Sequence, residues 1–213
     1  TITNNNTLAI ADGSGGLASN YTLSGATINV TIIPRTLNVS LSREYDGTTS
    51  VSGVSLTPTF DSLQGGETLA LSGTGSVSTA NVGSSKAVSL GSIALAAGSG
   101  NPSNYTLNSA TMNITQRVIN LDGIRAYDAT TNVLSSDINT FGNIVSGETL
   151  TISGTGSVGS NSVAMNKAVT IGSLSLGNGS GLASNYTLTG GTHTFDISPV
   201  SVNVTGSRQY SAG

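Results

Sequence analysis

What most limits the folds open to this chain is that it repeats itself at long range. Arg43-Glu44-Tyr45-Asp46-Gly47-Thr48-Thr49 returns 82 residues later as Arg125-Ala126-Tyr127-Asp128-Ala129-Thr130-Thr131, and a third head, Arg208-Gln209-Tyr210-Ser211, opens 83 residues after that. Other landmarks keep their order. Asn20-Tyr21-Thr22-Leu23 recurs at Asn104-Tyr105-Thr106-Leu107 and at Asn185-Tyr186-Thr187-Leu188. Gly66-Glu67-Thr68-Leu69 recurs at Gly147-Glu148-Thr149-Leu150, and Lys86-Ala87-Val88 at Lys167-Ala168-Val169. A period this long is domain-sized, well beyond one coil of a solenoid. It divides the chain into the closing part of a preceding unit (1–33), two complete units (34–115 and 116–198) and the start of a following one (199–213). The expectation is a section of a longer array.

Inside a unit the signals are those of short strands. Leu37, Val39 and Leu41 alternate with Asn38 and Ser40, Leu69 and Leu71 with Thr68 and Ala70, and Ile28 and Val30 with Thr27, Asn29 and Thr31. A period of two describes half-buried β-strands. Asp46-Gly47, Gly65-Gly66 and Gly98-Ser99-Gly100 punctuate the runs with residues that turn cheaply. With turns every 8–12 residues and no helical period, the pattern predicts an all-β fold of tandem immunoglobulin-like Greek-key sandwiches of about 82 residues. A β-solenoid with coils of roughly 20 residues is the alternative. The two partial ends are expected to be strands as well.

The ordered set of Tyr45-Asp46-Gly47-Thr48-Thr49, Gly66-Glu67-Thr68-Leu69, Ser72-Gly73-Thr74-Gly75-Ser76-Val77, Lys86-Ala87-Val88 and Asn104-Tyr105-Thr106-Leu107 resembles the YDG-type repeats of large bacterial surface proteins. The resemblance covers essentially the whole chain. It implies kinship with filamentous-haemagglutinin-like adhesins and with bacterial immunoglobulin-like repeats, and hence an extracellular place on the cell surface or in secreted form. Two departures stand out: Ala129 replaces Gly47, and Ser211 replaces the acidic residue of the motif.

Composition removes several function classes. Only 8% of the 213 residues are charged and the net charge is −3, which leaves no basic stripe for nucleic acid or anionic lipid. Cysteine is absent, so thiol chemistry and disulfides are excluded. The single histidine, His193, aligns by simple offset with Met112 and Ile28, an apolar column, and no acid–base set accompanies it; no enzyme and no cofactor are expected. Carbohydrate binding lacks Trp, and Tyr21, Tyr105 and Tyr186 hold one repeat position, which suits a packing residue with a bonded hydroxyl. Calcium is the metal to consider, but no D-x-D-x-D series is present, leaving only a site shared between units.

Three kinds of candidate residue remain. Arg43, Tyr45 and Asp46, with Arg125, Tyr127 and Asp128, read as a structural corner: an aromatic to pack, an Asx-type side chain to bond the local backbone and a turn. Lys86 and Lys167, the only lysines, are expected to pair with the corner Asp or with Glu67 and Glu148, the alternative being a Lys–Asn isopeptide bond. Sequons such as Asn38, Asn104 and Asn185 are abundant in a chain this rich in Asn, Ser and Thr.

The joints are short. Pro34 and Pro199 stiffen two of them, whereas Gln116 stands at the joint between the complete units and is expected to leave it freer. The function expected from near-identical copies is that of a stalk, a spacer projecting a binding region, with neighbouring repeats as the partners. A module that itself contacts glycan or host protein is the competing expectation.

Overall fold

The structure is a computed structural model that describes residues 9–22, 31–211 and 213. It is nearly all β; the helical segments among the described residues are four three-residue 3-10 turns. The first unit comprises β1 (Arg35–Glu44), β2 (Ser50–Ser52), β3 (Thr59–Phe60), β4 (Leu69–Ser72), β5 (Thr74–Val77), β6 (Gly83–Ser89), β7 (Ala94–Ala97) and β8 (Tyr105–Thr115). The second comprises β9 (Arg117–Val118), β10 (Asn120–Ala126), β11 (Asn132–Leu134), β12 (Ile138–Gly142), β13 (Leu150–Ser153), β14 (Thr155–Val158), β15 (Ala164–Thr170), β16 (Ser175–Asn178), β17 (Tyr186–Thr187) and β18 (Thr194–Ser198).

The two units share one topology. In the first, a curled six-stranded sheet has the order β2-β5-β6-β8-β1-β3 and β4 pairs with β7; in the second, the order is β11-β14-β15-β18-β10-β12 and β13 pairs with β16. The first and last long strands of a unit lie side by side and parallel, β1 on β8 and β10 on β18. Parallel neighbours run in one direction, so the chain enters a unit at one end, here the near end, and leaves it at the other, the far end.

The period of two reaches the core as it should. Along β1, Leu37, Val39 and Leu41 are buried and their neighbours Asn38, Ser40 and Ser42 exposed. Buried Val39, Leu41, Val51, Met112 and Ile114 of the first unit belong to the same apolar cluster as Ile119, Leu121, Val133, Phe195 and Ile197 of the second. One core therefore runs through both units.

Two expectations need correction. The head at 199–211 carries no strand among the described residues, nor does 9–22 beyond a single Gly13–Gly16 bridge. Each head strand in a complete unit is held by the tail strand about 70 residues further on, as Val39 is by Ala110, and among the described residues 199–211 forms no strand pairing. The alternation at residues 27–30, and Leu23, lie outside the described residues. His193 is also misplaced by simple offset. Lys86 pairs with Met112 but Lys167 with Phe195, so the counterpart of Met112 is Phe195 and His193 stands at the place of Ala110. Gly190 and Gly191 supply the two extra residues, Gly190 at φ +85°, a conformation that glycine adopts without strain.

Candidate functional site at the joint between units

The repeated head folds as two devices, only one of which is local. After β1 the chain turns at Asp46, whose carboxylate accepts from the Thr48 backbone N–H (2.9 Å) and hydroxyl (3.0 Å). Arg43 lies across the turn, donating to Asp46 (2.8 Å), the Thr48 hydroxyl (3.1 Å), the Ser50 carbonyl (2.7 Å) and the Thr48 carbonyl. Arg125 repeats this on Asp128 at 3.1 Å and on the carbonyls of Thr130 and Asn132, with its guanidinium 5.5 Å from the centre of the Phe195 ring. The Thr130 N–H, the largest influence on Asp128, holds its carboxyl below the usual carboxylate range. A planar guanidinium with several donors suits such a corner; a lysine ammonium does not.

Tyr45 takes no part in that corner. Its backbone N–H donates to the Thr115 carbonyl (2.9 Å), which ties the end of β1 to the end of β8, and its ring crosses into the second unit. There it meets Tyr186 edge to face, centroids 5.4 Å apart at 80°. Both phenols converge on one carboxylate: the Tyr45 hydroxyl donates to Glu148 Oε1 (2.6 Å) and that of Tyr186 to Oε2 (2.6 Å). Both phenol pKa values are raised, first by burial and next by the bond to Glu148. The landmarks that repeat at 45, 148 and 186 thus meet in one place, the near end of the second unit.

Further contacts close the joint. Asn185, 1% exposed, accepts from the Val82 N–H (2.9 Å) and donates to Asn81 Oδ1 (3.0 Å). Arg117 faces Glu44 at 3.6 Å and donates to the Tyr45 carbonyl (3.3 Å). Gln116, expected to loosen the joint, instead donates to the carbonyls of Tyr186 (2.9 Å) and Ser184 (3.2 Å), bonds that no proline side chain makes. Among the described residues no three acidic, His or Cys side chains gather to hold a metal, and the cation at the joint is the Arg117 guanidinium.

The lysines also differ from expectation. Neither is ion-paired among the described residues. Lys86 Nζ donates to the Thr79 hydroxyl (2.8 Å) and the Asn81 carbonyl (2.9 Å), and Lys167 does the same with Ser160 (2.9 Å) and Ser162 (3.1 Å). Lys86 therefore braces the loop that delivers Asn81 and Val82 to the joint. The acids proposed as partners are used elsewhere, Asp46 by Arg43 and Glu148 by two tyrosines. His193 is spent on backbone: Nδ1 accepts from the Leu121 N–H (3.1 Å) and Nε2 lies 2.9 Å from the Leu188 carbonyl.

What was legible here was that positions 45, 148 and 186 matter in every unit. That they meet across a boundary could not be read, since nothing in a period says whether two landmarks touch within a unit or between neighbours. Asn185 was missed as a joint residue because the surrounding Asn-Tyr-Thr looks like any other sequon; its side chain is enclosed in the folded joint.

The whole arrangement is the one a family of tandem modules would carry. The YDG domain family matches residues 29–112 and again 115–194, and the chain belongs to it. No curated protein and no solved structure matches this chain.

Proposed function

We propose that the chain is a spacer section of a large bacterial cell-surface adhesin: immunoglobulin-like YDG units set end to end in a semi-rigid, elongated stalk that holds a binding region away from the cell. The observation that carries this reading is the joint itself, in which Tyr45 of one unit and Tyr186 of the next share the Glu148 carboxylate. Parallel first and last strands send the chain onward in a constant direction, and the apolar core continues across the boundary. Such a device fixes orientation, which a spacer needs and an independent binding domain does not. The split of each unit into a six-stranded and a two-stranded sheet around that core supports the sandwich class.

On this reading the partners are neighbouring repeats, the ligand is taken up by other parts of the adhesin, and the chain itself carries no catalytic group or cofactor. The test is replacement. When both units are exchanged in the full adhesin for an unrelated rigid β-sandwich pair of equal length, adhesion should persist with display and reach unchanged. Loss of adhesion under those conditions would favour direct contact of the units with glycan or host protein and overturn the spacer reading.

A further inference from the structure

We propose that each unit is a mechanical clamp against tension along the chain, and that the second unit yields first because its clamp is spliced by the side chain of His193. That tension is carried in service rests on the spacer reading. The clamp itself is a property of each folded unit, and the pulling experiment below succeeds or fails independently of the replacement test.

The clamp is the pairing of the first and last long strands. β1 and β8 lie side by side and parallel, from Arg35 beside Tyr105 to Glu44 beside Thr115. Tension enters a unit ahead of its first strand and leaves it behind its last, so β1 is drawn toward the near end and β8 toward the far end. The two strands are thus pulled past each other along their length. One hydrogen bond is weak alone, but the evenly spaced rungs of a parallel ladder loaded in this way share the force and must fail together. Antiparallel first and last strands would instead open one rung at a time. The pair also lies inside the sheet, with β6 beyond β8 and β3 beyond β1. Its inward residues Val39, Leu41, Met112 and Ile114 belong to the core, so sliding drags buried side chains with it.

The second unit has the same geometry and a broken ladder. β10 and β18 pair from Asp122 beside Thr194 to Ala126 beside Ser198, and β9 and β17 pair at Arg117 beside Tyr186 and Val118 beside Thr187. Between these two stretches residues 119–121 face the longer segment 188–193, which contains Gly190 and Gly191, and side chains bridge the gap. The Thr192 N–H donates to Asn120 Oδ1 (2.8 Å) and the Leu121 N–H to His193 Nδ1 (3.1 Å), while His193 Nε2 lies 2.9 Å from the Leu188 carbonyl. In the first unit the corresponding residues, Val39 and Ala110, are paired strand neighbours. A bond made through rotatable χ torsions is slacker than a backbone rung and takes up less of a shared load. The second unit therefore has fewer backbone rungs in line, and His193 ties its short stretch to its long one.

Single-molecule pulling of the 213-residue chain by its two ends tests this. Two unfolding steps should appear at different forces, each freeing about 82 residues, which extend to roughly 270–295 Å. Forced unfolding reports the barrier directly. The chain has no cysteine, so Pro34→Cys with Asn104→Cys supplies unique attachment points, both exposed and both at the near end of the β1–β8 pair. Pulled from there the first unit is peeled rung by rung, and it should yield at a force several-fold lower than in the end-to-end pull. His193→Ala should lower the weaker of the two end-to-end steps and leave the stronger unchanged. His193→Asn, which keeps an acceptor near the place of Nδ1, should recover part of the loss, and it replaces the alanine variant if that one fails to fold. Equal forces for peeling and end-to-end pulling would overturn the clamp, whether or not the histidine variants fold. Two steps at one force, or a histidine variant that weakens the stronger step or neither, would overturn the assignment of the second unit as the weaker.

Discussion

The phenol oxygen of Tyr45 lies 2.6 Å from Oε1 of Glu148, a residue 103 positions further along the chain and in the other unit. A tyrosine in the head of one repeat is thereby read out by the acid of the next. Hydrogen bonds to a charged acceptor in a partly enclosed site are worth about 1.5–3 kcal/mol. Tyr45→Phe keeps the edge-to-face ring contact and removes only the donor, and it should destabilise the chain by that amount in urea unfolding. Combined with Glu148→Ala in a double-mutant cycle, the pair should show a coupling of at least about 1 kcal/mol. Tyr127→Phe is the internal control: its hydroxyl has no partner among the described residues, and it should change stability by under about 0.5 kcal/mol.

The same bridge predicts how the joint responds to alkali. Burial first, and the bond to Glu148 second, raise the pKa of Tyr45 and Tyr186 above the ordinary phenol value of 10.0. The phenolate is the form the folded joint disfavours, so the contribution of these groups is complete below that value. It is lost as pH climbs from about 10 toward the raised folded values. Melting temperature should be level from neutral pH to about pH 9 and then fall, and the fall should be shallower in Tyr45→Phe, which has one titrating group fewer. At the acid end the sign reverses. Asp128, held down mainly by the Thr130 N–H, contributes stability above its ordinary value of 3.8 that is lost as pH drops through the lowered one.

How much of this could be read in the sequence differs by residue. Leu37, Val39 and Leu41 announced β1 through alternation, because a pleated strand with one wet face leaves that mark and no other element does. Arg43 and Asp46 announced a corner, since the interactions that build it lie within seven residues of one another. Tyr45 sits between them and belongs to a different structure; its partner is distant in sequence, and periodicity is blind to contacts that cross a boundary. His193 was misaligned for a related reason, as two inserted glycines shift the register of the last strand while the motif Asn185-Tyr186-Thr187-Leu188 just before it keeps an offset of 81. The place of Lys86 was legible and its partner was not, because backbone carbonyls leave no trace in a sequence.

The substitution of Ala129 for Gly47 supplies a final prediction, in which two counterparts of the repeated head should respond in opposite directions. Both positions have positive φ, +77° at Gly47 and +66° at Ala129. An L-residue in this region costs about 1–2 kcal/mol, which glycine avoids. Ala129→Gly should therefore stabilise the chain by up to about 1 kcal/mol once the extra freedom of glycine in the unfolded state is set against the relief, raising the melting temperature by about 2–4 °C. Gly47→Ala imports that strain and adds a second cost, because a Cβ there would stand 2.9 Å from Cγ1 of Val145 in the neighbouring unit. Its loss should exceed the gain at 129. Val145→Ala removes the obstructing methyl, so in the Gly47→Ala background it should cost less than it does alone, recovering the contact part and leaving the backbone part. Calorimetry on the four proteins separates the two contributions. Equal and additive losses would mean that Val145 does not rest on Gly47, and that the glycine of the repeated head serves its own turn alone.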